Sequence, residues 1–312
     1  MARREAAARV ADPRPFELEG DAHRLAHSLP DLQVESLRVA STVSHGIHGR
    51  RRAGPGETFW QFRQFQSNDP ASLIDWRRSA SSDHLYVRER EWEAAHTIWL
   101  WPDLSDSMDF RSDLVQVTKR DRVLVLTLAL AELLVRGGER VGLLGLTRPT
   151  ASRRATTLLA EAIAVNARMP AVRASLPPAE RVGRFSAVVL IGDFLDPVDS
   201  LKTRLDAIAG HGVVGHLVQV LDPAEETLPY EGRAEFLGLE GDERWLAERA
   251  EGLRPAYRAR LEAHRAALRS TAQSFGWSFL VHHTDQSAAG PLLALIQRLG
   301  PGSFGAASGG MR

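Results

Sequence analysis

The feature that most constrains this chain is a regular alternation of short apolar runs with longer amphipathic segments, which begins after residue 94. Such runs are typical of buried strands, and such segments are typical of helices that cover a sheet, so the alternation predicts parallel strands joined by crossover helices. The predicted strands are His96–Trp101, Val141–Leu146, Ala187–Ile191, Val213–Leu221 and Ser278–His282. The predicted helices are Gln116–Val135, Thr156–Ala167, Asp199–Ala209, Glu243–Gln273 with a break near Pro255, and Ala288–Leu299. We therefore expect a doubly wound, mostly parallel, Rossmann-like α/β domain over residues 94–300.

The residues that precede this domain have a different character. A helix is predicted from Asp31 through Val39, and the loop that follows is rich in glycine and proline and contains the three arginines Arg50–Arg52. The aromatic cluster of residues 59–65 and the segment Tyr86–Trp92 are typical of extended chain. We therefore predict an irregular, strand-containing N-terminal module over residues 22–93.

Composition and charge exclude several classes of protein. The chain carries 39 basic and 39 acidic residues, so no net field attracts nucleic acid or an anionic membrane. Cysteine is absent, which excludes disulfides, thiolate metal sites and cysteine nucleophiles. No apolar run approaches the ~20 residues that span a bilayer, and residues 1–21 lack the apolar stretch of a signal peptide, so we expect a cytoplasmic protein. A mobile N-terminus is expected over residues 1–21 and a flexible tail over residues 301–312.

The loop after the first predicted strand contains the best candidates for a binding site. Asp103, Ser105 and Ser107 alternate along it, so a curled loop can direct a carboxylate and two hydroxyls at one point. These are hard oxygen donors, the ligands that Mg²⁺ prefers. The alternative is that Ser105 or Ser107 only caps the helix that follows.

Acidic residues follow two further strands at the same edge of the predicted sheet. Asp193 comes directly after the third strand, and we expect it to contribute a second carboxylate to the site, through a water molecule. Nearby Asp196 precedes a proline and more simply turns the chain. The segment Asp222–Tyr230 follows the fourth strand and forms either a binding rim or a polar turn.

These residues carry a resemblance to known families. The Asp103–Ser107 loop resembles the metal-ion-dependent adhesion site of von Willebrand factor A-like domains. The residues upstream of it look like the signature of the domain-of-unknown-function family 58 (DUF58), and they are Gly56-Glu57, Phe59, Arg63, Asn68-Asp69, Ile74-Asp75-Trp76-Arg77, Ala80 and Val87-Arg88-Glu89. The resemblance implies a von Willebrand A-like domain and, as a partner, a MoxR-type AAA+ ATPase, because such ATPases are commonly encoded beside the family.

The chain departs from the family pattern at two places. It has Asn68 where family members usually have Gly, and the threonine that normally supplies the third metal ligand has no clear counterpart. Ser175 and Ser186 lie in the corresponding segment without the expected glycines. Thr147, Thr150 and Thr156 lie closer to the second strand. Both departures bear on how tightly the site binds a metal.

Three functions fit this pattern. The first is a non-enzymatic protein-binding adaptor whose Mg²⁺, held by Asp103, Ser105, Ser107 and Asp193, leaves a coordination position for an acidic side chain of a partner. The second is a metal-dependent hydrolase, but the sequence has no Gly-x-Ser-x-Gly elbow, no P-loop and no histidine next to either aspartate loop. The third is a metal-free scaffold. We predict the adaptor, with no catalytic residues and with Mg²⁺ as the one candidate cofactor.

Overall fold

A computed structural model describes residues 31–44, 59–65, 74–80, 82, 84–90, 96–167, 169–184, 186–210, 212–238 and 244–299. Along the chain the elements are α1 (31–44), β1 (Phe59–Gln64), α2 (Trp76–Ser79), β2 (Tyr86–Arg90), β3 (Thr97–Pro102), α3 (Lys119–Arg136), β4 (Arg140–Leu143), α4 (Ala155–Asn166), β5 (Ala187–Gly192), α5 (Val198–Ala209), β6 (Val214–Leu221), α6 (Pro223–Thr227), β7 (Ala234–Leu237), β8 (Arg244–Ala247), α7 (Arg254–Ser274), β9 (Ser278–His283) and α8 (Ala289–Arg298). The expected mobile N-terminus 1–21, the loop Arg50–Arg52 and the tail 301–312 lie outside the described residues.

The chain divides into two compact units, one formed by residues 50–95 and the other by the rest of the chain. In the smaller unit β1 pairs with β2 in antiparallel fashion, at the two places where extended segments are predicted. Asp75 begins the one-turn helix α2, because its side chain accepts a hydrogen bond from the backbone N–H of Arg78 at 2.9 Å. The described part of the smaller unit is therefore an antiparallel pair of strands, with a capped helical turn between them along the chain.

A five-stranded parallel sheet forms the centre of the larger unit, in the order β4-β3-β5-β6-β9. Every predicted strand of the α/β domain is present, within a few residues of its expected bounds. Numbered along the chain, the strands follow the order 2-1-3-4-5, a doubly wound arrangement whose direction of growth reverses between β3 and β5. The predicted fold class is thus confirmed.

Both faces of the sheet are covered by helices, because alternate residues of its central strands point to opposite sides. On β5, Val189 and Ile191 pack in one core together with apolar residues of α1, α3, α4 and α8. Val188 and Leu190 pack in a second core with residues of α5 and α7. Burial on two faces explains why the strands read as continuous apolar runs. Helix α1 joins the first of these cores, although the sequence analysis groups it with the N-terminal module.

One predicted helix is wrong in its first part. The pattern predicts a helix over Glu243–Gln273, but β8 forms within that range and pairs with β7 in an antiparallel ribbon. The long helix α7 begins only at Arg254. Pro255 lies in its first turn, where the N–H that proline lacks has no partner inside a helix. The proline therefore marks the start of the helix and not a break within it.

The outer edge of β4 is closed by the chain that follows it. Val141 and Thr150 exchange two backbone hydrogen bonds, at 2.9 and 2.8 Å, in an isolated antiparallel bridge. The N–H of Leu143 donates to the Thr147 hydroxyl at 2.8 Å. The turn after β4 thus satisfies backbone groups that point away from the sheet.

Candidate metal and partner-binding site

The Asp103 loop lies at the point where the strand order reverses, which is where doubly wound sheets bind their ligands. It follows β3 directly, and the N–H of Asp103 donates to the carbonyl of Ile191 on β5 at 2.8 Å. The ends of the two strands approach so closely that a Cβ added to Gly192 would lie 2.7 Å from the Cβ of Asp103. Glycine is therefore required at this position if Asp103 is to keep its place.

The loop curls as predicted and brings its oxygen atoms together. The N–H of Ser105 donates to Oδ1 of Asp103 at 2.9 Å, and the hydroxyls of Ser105 and Ser107 lie 3.1 Å apart. A short 3-10 helix, Asp106–Asp109, completes the turn. Ser105 makes no side-chain capping bond to this helix, so the capping alternative does not describe it. Asp103 and Ser105 are buried, whereas Ser107 is half-buried.

Asp193 reaches this loop from the neighbouring strand. Its Oδ2 accepts a hydrogen bond from the Ser107 hydroxyl at 2.8 Å, and its own carbonyl accepts one from the Gln219 side chain at 2.9 Å. The turn after it depends on Phe194, a buried residue with φ of 50° in the left-handed region. We call Asp103, Ser105, Ser107 and Asp193 the oxygen cluster, since the structure brings all four predicted residues together.

A buried lysine that is not among the predicted site residues adjoins the oxygen cluster. The ammonium of Lys119 lies 2.9 Å from Oδ2 of Asp193 and 2.7 Å from Oε1 of Glu225. Lys119 is the first residue of α3, after the N-cap Thr118. A positive charge in the first turn of a helix is opposed by the helix dipole. That conflict in the sequence is the signal that could have identified Lys119.

Two arginines also contact this loop. Arg120 forms an ion pair with Asp109 and donates to the carbonyl of Ser105 at 3.2 Å. Arg173 forms an ion pair with Asp106. These contacts stabilise the loop in addition to the hydrogen bond that Asp103 accepts from the N–H of Ser105.

The charges of the site are unevenly balanced. Burial, followed by the proximity of Asp193, raises the pKa of Asp103 to about 8. Burial also opposes ionisation of Asp193, but the Lys119 ammonium outweighs it and holds the pKa of Asp193 below its usual range. At Lys119 burial disfavours the charged ammonium, but the carboxylates of Asp193 and Glu225 outweigh it and raise the pKa of the lysine. At Glu225 burial is the larger effect, and it raises the pKa of the carboxyl. Asp193 is thus ionised and compensated at neutral pH, while Asp103 is mostly protonated.

The oxygen cluster has the donor set that Mg²⁺ requires. Oδ2 of Asp103 is buried and has no hydrogen-bond partner, so one carboxylate oxygen is left for a cation. Neighbouring ligands of an octahedral Mg²⁺ lie about 3 Å apart, close to the 3.1 Å that separates Ser107 Oγ from Ser105 Oγ. The residues therefore fit Mg²⁺, and the hydroxyls of the two serines are among the oxygens that would hold it.

Other candidate ligands are engaged elsewhere. The hydroxyls of Thr147 and Thr150 accept hydrogen bonds from the backbone N–H groups of Leu143 and Ser152. The Thr156 hydroxyl donates a hydrogen bond to the carboxylate of Glu132. Within the described part of the chain, His, Cys, Asp and Glu nowhere form a group of three or more that could hold a metal ion. The hydroxyls of these three threonines are therefore engaged away from the oxygen cluster.

The acidic segment after β6 combines both interpretations left open by the sequence. Asp222 is fully buried and caps α6, and its carboxylate also accepts hydrogen bonds from the Ser112 N–H and hydroxyl at 2.9 and 2.6 Å. Glu225 contacts Lys119, while Glu226 pairs with Arg265 and with His283. The segment is thus a structural turn at Asp222 and a rim of the site at Glu225.

An apolar groove that is open to solvent is lined in part by the chain neighbours of Asp103. Pro102 and Leu104, which flank Asp103, form part of its wall, and its volume is about 450 Å³ including the mouth. The other lining residues are Trp101, Leu143, Leu144, Gly145, Leu146, Ile163, Ala171, Val172 and Pro178. The groove thus adjoins the Asp103 loop along the chain, but none of the four residues of the oxygen cluster lines it.

Comparison with known proteins identifies similar sequences over most of the chain. A family model described as "Protein of unknown function DUF58" matches residues 61–267. The Uncharacterized protein Rv1480 of Mycobacterium tuberculosis is 29% identical over 301 residues, which cover 92% of this chain and 93% of the relative. The Uncharacterized protein Mb1516 of Mycobacterium bovis gives the same values. The descriptions of the family and of these relatives name no catalytic activity.

Solved structures provide a more distant comparison. An aerotolerance-related membrane protein from Bacteroides fragilis is 19% identical, with a TM-score of 0.36, and the match covers 65% of this chain and 98% of that one. The conserved hypothetical protein BatB from Bacteroides thetaiotaomicron is 17% identical, with a TM-score of 0.32 and coverage of 66% and 98%. In the present chain, the helices among the described residues include none that is long and apolar enough to cross a membrane.

Proposed function

Because the chain belongs to the DUF58 family, whose description states no function, we propose a function from the site: the protein is an adaptor that binds a partner protein through Mg²⁺ held by the oxygen cluster. Asp103, Ser105 and Ser107 would be direct ligands, and Asp193 would act through water. Bound Mg²⁺ supplies a coordination position that an acidic side chain can fill. The protein's own part is to hold these four side chains in place at the sheet edge.

One observation carries the proposal, namely the buried Oδ2 of Asp103, which has no hydrogen-bond partner beside two serine hydroxyls. A buried polar atom without a partner costs free energy, so its presence in a converging set of oxygens calls for a ligand. The raised pKa of Asp103 agrees with this, because a carboxyl that lacks a counter-charge stays protonated. A cation at this point would compensate the carboxylate.

The surroundings of the cluster favour a protein as the ligand's source. Ser107 is half-buried, so the cluster can be reached from solvent, and Pro102 and Leu104, the chain neighbours of Asp103, line an apolar groove. A partner that offers an acidic residue beside a bulky apolar one would satisfy both features. The zero net charge of the chain gives nucleic acid no comparable advantage.

The identity of the partner is a further part of the proposal and rests on the family resemblance alone. That resemblance implies a MoxR-type AAA+ ATPase. Such a partner hydrolyses ATP, so we propose that the complex forms in the cytoplasm. The von Willebrand A-like character of the larger unit belongs to the same proposal.

Calorimetric titration with Mg²⁺ tests the metal site. We expect wild-type protein to bind Mg²⁺ and Ser107→Ala to lose that binding, since one direct ligand is removed. Ser200→Ala, which changes an exposed serine at the start of α5, is the matched control and should bind as wild type does. No heat of binding from wild type across millimolar Mg²⁺ would contradict the proposal.

Partner binding needs a separate test with a purified MoxR-type ATPase. The complex should form in Mg²⁺ and dissociate in EDTA, and Asp103→Ala should reproduce the effect of EDTA. Asp199→Ala, at an exposed position, should leave binding unchanged. Binding that survives both EDTA and Asp103→Ala would place the interface elsewhere, and hydrolysis of a phosphate ester that depends on Asp103 would favour the hydrolase.

A specific observation favours a metal-free scaffold as the second candidate. Lys119 already provides a positive charge to Asp193, at 2.9 Å, so part of the cluster is compensated without a metal. A scaffold of this kind would bind its partner equally well in Mg²⁺ and in EDTA. The partner-binding experiment therefore separates the two candidates.

A further inference from the structure

Lysine is rare in this chain, and one of its lysines is buried. Of the 39 basic residues, two are lysines, Lys119 and Lys202. Lys202 is exposed on α5, whereas Lys119 is 1% exposed. Removing an ammonium from water is costly unless carboxylates replace its hydration. The burial of Lys119 therefore requires an explanation beyond surface charge.

Lys119 lies at the edge of the oxygen cluster. Its ammonium contacts Oδ2 of Asp193 at 2.9 Å, which is the same oxygen that accepts the hydrogen bond of Ser107 at 2.8 Å. Its second carboxylate, Glu225, belongs to α6 and lies 2.7 Å away. An arginine would bring a wide planar fork to this place, whereas lysine brings a compact point charge on a slim stem. The Lys119 side chain thus places a compact, single positive charge at the edge of the oxygen cluster.

We propose that the ammonium of Lys119 is the internal counter-cation of the oxygen cluster and that it limits how tightly the cluster binds Mg²⁺. The inference rests on the proposed function, because it concerns the same cluster. A divalent ion there would share Asp193 with a positive charge already in place, and like charges a few ångströms apart repel strongly where little water screens them. In the absence of metal the ammonium keeps Asp193 and Glu225 compensated, so the site keeps its shape.

The direct test is Mg²⁺ titration of Lys119→Met by calorimetry. Methionine keeps an unbranched stem of similar length and removes the charge. We expect the affinity for Mg²⁺ to rise by about tenfold or more, within the range of coupling between neighbouring charged groups. Lys202→Met is the matched control, since it removes the other lysine from an exposed position, and its affinity should equal that of wild type.

Two further measurements cover the case in which Lys119→Met does not fold. The double variant Lys119→Met with Glu225→Gln removes one positive and one negative charge together, so the net charge of the site is kept, and it should also bind Mg²⁺ more tightly than wild type. In wild-type protein, lysine labelled with ¹³C at the ε position gives signals from Lys119 and Lys202. Mg²⁺ should shift the Lys119 signal and leave the Lys202 signal in place.

The outcomes separate this inference from the proposed function. Tighter binding of Mg²⁺ by the Lys119 variants than by wild type supports the inference. If only the variants bind Mg²⁺ and wild type does not, the inference is supported, but the natural protein does not depend on Mg²⁺ and the proposed function is overturned. Binding by wild type with equal or weaker binding by the variants, or with no shift of the Lys119 signal, overturns the inference and leaves the proposed function standing. Absence of binding in every form overturns both.

Discussion

His282 on β9 should make the folded protein sensitive to acid. Its side chain is 1% exposed, and its Nε2 has no hydrogen-bond partner. Burial, and then the nearby charges of Arg122 and His283, lower its pKa from 6.5 to about 3. The folded protein therefore keeps this imidazole neutral at pH values where the unfolded chain protonates it.

The sign and size of the effect follow from the two pKa values. Below pH 6.5 the unfolded state binds a proton that the folded state does not bind until about pH 3, so stability falls as the pH is lowered through this window. Each pH unit is equivalent to about 1.4 kcal/mol, so the free energy of unfolding should fall by roughly 3 kcal/mol by pH 4.5 from this group alone. That is a large share of the ~5–15 kcal/mol that stabilises a typical domain.

The perturbation is His282→Phe, which keeps a buried ring of similar size and removes the titrating group. Urea denaturation at several pH values, followed by tryptophan fluorescence, gives the free energy of unfolding of each form. Wild type should lose roughly 3 kcal/mol more than His282→Phe between pH 7 and pH 4.5. His84→Gln, which changes an exposed histidine, is the control and should follow wild type. Parallel curves for wild type and His282→Phe would refute the reasoning.

Three other variants test the packing of the larger unit. Asp222→Ala should lower the free energy of unfolding by about 3 kcal/mol in urea denaturation, because it leaves several buried donors unpaired; a loss below 1 kcal/mol would contradict this. Gly215→Ala should lower the melting temperature sharply or prevent folding, because the added Cβ would lie 1.8 Å from the ring of Trp277. An unchanged melting temperature would show that the ring can move. Gly192→Ala should displace Asp103 and weaken Mg²⁺ binding at least about tenfold by calorimetry, and unchanged affinity would show that the close approach is not required.

Much of the fold can be predicted because its strands are buried on both faces and are therefore marked by uninterrupted apolar runs. The β7–β8 ribbon lacks that signal. Arg244, Trp245 and Leu246 of β8 are exposed, and a mixture of charged and apolar residues is equally typical of a helix surface. What makes this segment a strand is its pairing with β7, a tertiary contact that periodicity does not reveal.

The candidate site divides in a similar way. Asp103, Ser105 and Ser107 lie within one loop, and Asp193 follows from the rule that the ends of parallel strands meet at one sheet edge. Lys119 is different, because its partners are 74 and 106 residues away along the chain and it occupies the start of a helix. No local pattern specifies those distances, so only the folded structure shows which charges it compensates.

The closed edge of β4 limits how this protein can recognise other chains. Because Val141 and Leu143 already use their outward N–H groups on Thr150 and Thr147, an extended peptide cannot add itself to that side of the sheet without first displacing the turn. The same protection hinders edge-to-edge pairing of sheets from two copies of the protein, which is how exposed edge strands begin to aggregate. Recognition through β-augmentation is thereby disfavoured on this flank of the sheet.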